Sequence, residues 1–293
     1  MRLILPFILV AAAILAVSLS VDFDSVARWA AEQQRSFQNH MATAIRALRS
    51  GDAGAVAALL AAAGAYGFVH AVGPGHGKYL IGGVGLGTSV SATRLLGIAL
   101  VSSLMQALWA IALVYGGFLL LEVSARQMTT LAEDILAPAS YLAIAAVGLI
   151  LVWRGGRALI RRNAPEPSHH HAEHDCGCHS HGPSPDQVAR LASWREAAVL
   201  VASIAIRPCT GAIFLLVIAW QMDIRLAGAA AVVVMGMGTA ALTSIVAVSS
   251  TAARGLTFAS AGGRGMSLAV PALQIAAGAA IAWISMVTLS LSL

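Results

Sequence analysis

Residues 55–78 read AVAALLAAAGAYGFVHAVGPGHGK. From Ala55 to Val69 the run is apolar and long enough to be most of a membrane span. It then meets His70-Ala-Val-Gly-Pro-Gly-His76-Gly-Lys78, a stretch ill suited to a lipid-facing helix. Pro74 removes a backbone donor and clashes with the preceding turn. The glycines around it permit tight, non-helical backbone. Irregular backbone at membrane depth persists only where protein buries it or where it lines a wet cavity. We therefore read residues 70–78 as a break in a membrane helix that carries two imidazoles, the local architecture of an ion site. The plainer reading is a loop at the membrane surface that contains histidines.

The rest of the chain favours a membrane setting. Of its 293 residues 58% are hydrophobic and 11% charged, and the mean hydropathy is +0.80. A soluble domain carries about 25% charged residues. The net charge of +5 sits beside apolar runs, so membrane orientation explains it and nucleic acid does not. The fold class is all-α: a polytopic membrane bundle of six or seven transmembrane helices with one broken helix at the histidine motif. Besides 55–73, spans are expected at 94–121, 135–153, 197–220, 226–249 and 268–290. The glycine-rich piece from Gly82 to Gly87 reads as a short re-entrant segment after the break. An earlier apolar run, residues 3–20, is either a retained span or a secretory signal. We favour the span.

Residues 24–50 differ in kind. Val26, Trp29, Phe37, Met41, Ile45 and Leu48 recur at helical spacing, with arginines mainly between them. This predicts an amphipathic helix that starts near Asp24 or Ser25 and ends at Gly51. Membrane-surface contact, partner binding and packing on the bundle all remain open for it.

Orientation follows from basic residues in the loops. Lys78 and Arg94 fall in one loop, Arg154 to Arg195 in a second, and Arg254 with Arg264 in a third. These alternate correctly to share the cytoplasmic side, which puts the N-terminus inside and the C-terminus outside. The chain then divides into residues 1–21 (N-terminal span or signal-like segment), 22–54 (periplasmic amphipathic helix) and 55–153 (first transmembrane half). A His/Cys-rich cytoplasmic loop, 154–196, and a second transmembrane half, 197–293, complete it.

That loop holds His169, His170, His171, His174, Cys176, Cys178, His179 and His181, among prolines and acids. The composition binds metal. Imidazole suits nickel, cobalt, zinc and copper, and thiolate favours softer ions. Cys176-Gly-Cys178 is too tight for a closed structural zinc module, so loose capture of ions is expected. An inert linker is the alternative.

Polar residues also interrupt the later spans. The fifth carries Arg207-Pro208-Cys209-Thr210-Gly211. An arginine near mid-helix must face protein, a cavity or the carbonyls that Pro208 frees. Cys209 is either a soft ligand or a small buried thiol. The sixth carries Met235-Gly-Met237-Gly-Thr239 and then Thr243, which suit close helix packing. Ser102, Ser103 and Gln106 in the third are either interhelical hydrogen-bonding groups or pathway-lining groups. No Asp or Glu lies well inside an expected span. Histidine is then the best-placed titrating group, and protons would compete with metal for it.

The histidine motif resembles the second-helix signature of the nickel/cobalt transporter family. There two histidines are separated by four residues and then one small or acidic residue. The Pro74-Gly-His76-Gly-Lys78, Arg207-Pro-Cys-Thr-Gly211 and Met237-Gly-Thr239-Ala240 runs, with the histidine-rich loop, resemble its NicO/RcnA-type efflux branch. Uptake permeases carry an aspartate before the second histidine, where this chain has Gly75. The resemblance implies a secondary transporter, not an enzyme, that exports nickel or cobalt across a bacterial inner membrane by an ion gradient. It implies no permanently bound cofactor, with Ni2+ or Co2+ as cargo. His70 and His76 would bind the ion in passage and the loop residues would gather it. Lys78, Arg207, Cys209, Thr210, Met237 and Thr239 would line the path or hold its shape. Expected partners are the ions and the lipid bilayer, with a periplasmic partner or a second copy left open. The alternatives are an uptake permease, a metal-sensing accessory and a membrane thiol oxidoreductase. The last needs a pair of exchanging cysteines, and only Cys209 falls in a span.

Overall fold

The computed structural model describes residues 23–72, 76–120, 124–163 and 194–292, and helices without strands make up this part. The run 3–20, the loop histidines and the loop cysteines lie outside the described residues.

Helix α1 is Phe23–Arg49. Asp52 N–H reaches back to Ala47 O at 3.1 Å across Gly51, whose φ is +83°. Only a residue at ease in the left-handed region suits that position, so glycine stops the helix there. Met41, Ala44 and Ile45 are buried against the next helix, so α1 packs on the bundle. Helix α2, Ala55–Val72, and helix α3, His76–Gly87, flank the break. Helix α4 is Ala92–Leu120. A short helix α5, Ala125–Thr130, runs through a π-helical turn, Leu131–Leu136, into α6, Ala137–Asn163. Then come α7, Trp194–Ala205, α8, Thr210–Gln221, and α9, Arg225–Ser292.

Five segments are long and apolar enough to cross a membrane: Ala55–Val72, Ala92–Leu120, Leu131–Ile160, Arg225–Leu256 and Val270–Ser290. These agree with the expected spans. The last two both belong to α9 and lie side by side. Gly82 of α3 meets Val246 in the first leg, and its neighbour Gly83 meets Ile281 in the second. Those two residues would be roughly 50 Å apart in a straight helix.

Two expectations change. The span at 197–220 is not continuous: Ala197–Ala205 and Thr210–Gln221 meet at 59°. Pro208 cannot supply a helical N–H, and Arg207 therefore sits in a break and not in mid-helix. Secondly, Gly82 to Gly87 is neither loop nor re-entrant piece but the end of α3. With 12 residues, α3 is roughly 18 Å long, too short to span alone. Its glycines pack it against both legs of α9. Gly64 and Gly67 of α2 approach the first leg at Val234 and Met235, and α3 follows farther along the same leg at Val246 and Ser250. Together α2 and α3 make one broken span that runs parallel to that leg. Lys78 thus lies inside the bundle and not in a loop.

The apolar core has two large clusters and a small third one of Ala137, Tyr141 and Leu289. One joins Met41 and Ile45 of α1, Leu59 and Tyr66 of α2, Val114 of α4, Ile213 and Leu216 of α8, and Val232 and Met235 of α9. The other joins Leu80 and Val84 of α3, Leu95 of α4, Ile144 and Leu151 of α6, and Ala247 and Ile281 of α9. Between the two large clusters α2–α3, α4, α6, α7–α8 and the first leg of α9 contribute polar residues. Where α6 and the second leg of α9 cross, Gly148 and Gly278 face each other's backbones directly, as small residues at membrane helix contacts do.

Candidate functional site

The polar layer surrounds a cavity of about 170 Å³. Each wall comes from the middle of a crossing element. The α2–α3 break supplies His70 and Lys78, and α4 supplies Ser102, Ser103 and Gln106. Ser140 comes from α6, Arg207, Cys209 and Thr210 from the α7–α8 break, and Thr239 and Thr243 from α9. The two apolar clusters close it above and below.

His70 is fixed from two sides. Its Nδ1 lies 3.0 Å from Gln34 Oε1 of α1. An amide oxygen only accepts, so Nδ1 carries the proton and the Nε2 lone pair is the one presented. The ring stacks on Tyr66, four residues earlier, with centroids 5.7 Å apart and planes 12° from parallel. The Cys209 thiol lines the same cavity from the other broken span. Cys209 holds the N-cap position of α8 with an extended backbone, φ −69° and ψ 128°. The positive end of the helix dipole therefore faces its sulfur.

The cations in the layer serve the breaks. Lys78 Nζ donates to Val72 O at 2.7 Å, which caps the C-terminal end of α2. Arg207 donates to Tyr141 Oη, and its guanidinium lies 5.1 Å from that ring's centroid. Gln106 Nε2 donates to Arg207 O at 2.6 Å and Ser140 Oγ to Ser203 O at 2.9 Å. Thr239 Oγ1 donates to Gly67 O at 3.1 Å, tying α9 to α2.

Of the residues singled out in the sequence, the structure brings His70, Lys78, Arg207, Cys209, Thr210 and Thr239 to one cavity. Met237 is not among them. It is 54% exposed on the outer face of α9, and the methionine turned inward is Met235. His76 opens α3, and its side chain lies outside the description. Gln34, Tyr66 and Tyr141 were not anticipated. Only Tyr66 had a local signal, its helical spacing of four from His70. Among the described residues no group of three or more His, Cys, Asp or Glu is placed to hold a metal. Two candidate ligands among the described residues, His70 and Cys209, line the cavity.

Comparison with known proteins adds three findings. A family model described as a high-affinity nickel-transport protein, NicO, matches residues 55–185. A Haemophilus influenzae protein provisionally named a nickel/cobalt efflux system is 30% identical over 261 residues, covering 83% of this chain and 79% of its own. No solved structure matches the chain.

Proposed function

Since the chain belongs to the NicO family of nickel-transport proteins, we propose that it exports nickel or cobalt through the polar layer around His70. Its class is that of a multi-pass membrane transporter of nickel or cobalt, not an enzyme. The observation that carries the site is the meeting of two broken spans at one cavity, with His70 and Cys209 both lining it. Broken helices at mid-depth are how secondary transporters expose ligands without opening the bundle to lipid.

Outward direction rests on the efflux name of the relative and on sidedness. Arg94 begins α4, Arg154 and Arg157 lie near the end of α6, and Arg254 closes the first leg of α9. Elements that alternate in direction put all four at one end. The positive-inside rule makes that end cytoplasmic, in a bacterium the inner face of the inner membrane. The loop with His169, His170, His171, His174, Cys176, Cys178, His179 and His181 joins α6 to α7 at the same end. It would gather ions on the side from which export draws them. His70, with His76 as the second imidazole of the motif, would pass them on. A metal needs neutral imidazole, so protons on the acidic side would displace it and reset the site. That couples export to a proton gradient without an intramembrane carboxylate.

The test is metal content in cells expressing the wild type or His70→Ala, challenged separately with nickel, cobalt and zinc. Lower nickel or cobalt in the wild type alone supports export through this cavity. Higher content in the wild type alone reverses the direction to uptake. Equal content in both sinks the reading of the site.

A further inference from the structure

We propose that Cys209 is a direct ligand of the transported ion, so that the cargo is held by a nitrogen–sulfur pair, His70 Nε2 and Cys209 Sγ. This rests on the transport reading above and deepens it.

The argument begins with charge. Among the described residues lining the cavity there is no carboxylate, and two, Lys78 and Arg207, are cations. Glu133 approaches Thr210 at 3.5 Å but is exposed and does not line the cavity. A divalent ion brought into this layer finds no oxygen anion to offset it, and burying unbalanced charge is prohibitive. Cys209 is the one described lining group that can supply an anion by losing a proton to a metal. It stands where the structure favours that form, at the N-terminus of α8, and a helix N-terminus favours negative charge.

The second strand is geometry. Gln34 occupies Nδ1 of His70, which leaves Nε2 as the metal-binding nitrogen. The ring and the thiol line the same cavity, one from each broken span. An ion held by both would bridge α2 to α8. Binding then releases the thiol proton as the sulfur–metal bond forms, and release of the metal takes a proton back. The third strand is chemistry. Imidazole with thiolate suits nickel, cobalt and zinc and disfavours the hard ions magnesium and calcium.

Cobalt titration of purified full-length protein tests this directly, since a thiolate bound to Co2+ gives an intense near-ultraviolet charge-transfer band. In a Cys176→Ser/Cys178→Ser background, Cys209 is the single cysteine left of the three in the chain. The band is expected there, and it should vanish when Cys209→Ser is added. In cells, Cys209→Ser should raise the nickel concentration needed for half-maximal export about tenfold or more. Cys209→Asp, which restores an anion, should recover part of that loss. No band in the Cys176→Ser/Cys178→Ser protein, or export by Cys209→Ser equal to wild type, overturns the proposal. If His70→Ala still abolishes export in those same assays, the transport reading survives and only the sulfur ligand fails. Should Cys209→Ser not insert, the band in the background that keeps Cys209 decides the matter alone.

Discussion

Replacing Gln34 by alanine removes the partner of His70 Nδ1, a hydrogen bond of 3.0 Å that reaches from α1 into the site. The ring itself stays in place, because Tyr66 stacks on one face. What changes is the tautomer and the basicity of Nε2. A partner of this kind on a ligating histidine is typically worth about 10- to 100-fold in metal affinity, or roughly 1.4 to 2.7 kcal/mol. The half-buried setting of Gln34 puts the expectation nearer the lower figure. Gln34→Glu keeps an acceptor at the same reach and makes the bond charge-assisted, so affinity should hold or rise. The assay is nickel binding by titration calorimetry on protein lacking residues 168–181, which removes most of the loop ligands from the signal. Wild-type affinity in Gln34→Ala, within about twofold, would refute the idea that α1 sets the ligand's tautomer.

Gly238→Ala should destabilise the bundle by about 1–3 kcal/mol. A Cβ there meets the α2 backbone, with Phe68 N at 2.9 Å and Gly64 C at 3.1 Å, and backbone cannot swing aside. Gly97→Ala, with nothing within 4 Å, should melt like wild type in detergent. Arg207→Lys keeps the charge but loses the planar fork that serves the Tyr141 hydroxyl and ring. Export should fall several-fold with normal membrane insertion, measured by metal content against protein level. Nickel affinity should fall as pH drops, since protons compete with the metal for the imidazole nitrogen and for the sulfur. Where a ligand is protonated, each pH unit should cost about tenfold per titrating ligand, followed by binding at a series of pH values. A flat profile would exclude imidazole as the ligand. Deletion of residues 168–181 should raise the concentration for half-maximal export and leave residual transport, measured in the same cells.

Much of the fold was legible because length and apolar character are read directly from a run of residues. The spans expected at 94–121, 226–249 and 268–290 fall close to those observed. The errors arose where a residue was treated by its own character or its place in the sequence and not by its neighbours in space. Lys78 looked like a loop residue because it is charged, yet it satisfies the Val72 carbonyl. Pro208 carries the same signal as Pro74, but the apolar residues around it concealed a break. Met237 was grouped with Thr239 because the two are close in sequence. In a helix, two residues are about 200° apart, so Met235 and Thr239 share the inner face and Met237 takes the outer one. Gln34 could not be paired with His70 from sequence, since 36 residues separate them and no periodicity relates two helices.

The broken spans raise a question of selectivity that their hydrogen bonds answer. A helix end exposes carbonyl oxygens, and a cavity lined by free carbonyls would suit hard cations such as magnesium or calcium. Here the protein has occupied them itself. Lys78 takes Val72 O, Ser140 takes Ser203 O and Gln106 takes Arg207 O, all within the polar layer. At its far end α3 is treated alike, with Arg254 donating to Gly85 O at 3.1 Å. All four bonds come from side chains on other elements, so the bundle's own packing supplies the caps. The donors that close the breaks thus also remove oxygen ligands from the path, and one of them, Lys78, adds with Arg207 positive charge that repels any cation held loosely. An ion that enters must gain enough from nitrogen and sulfur to offset that repulsion, which favours the transition metals over the far more abundant hard ions.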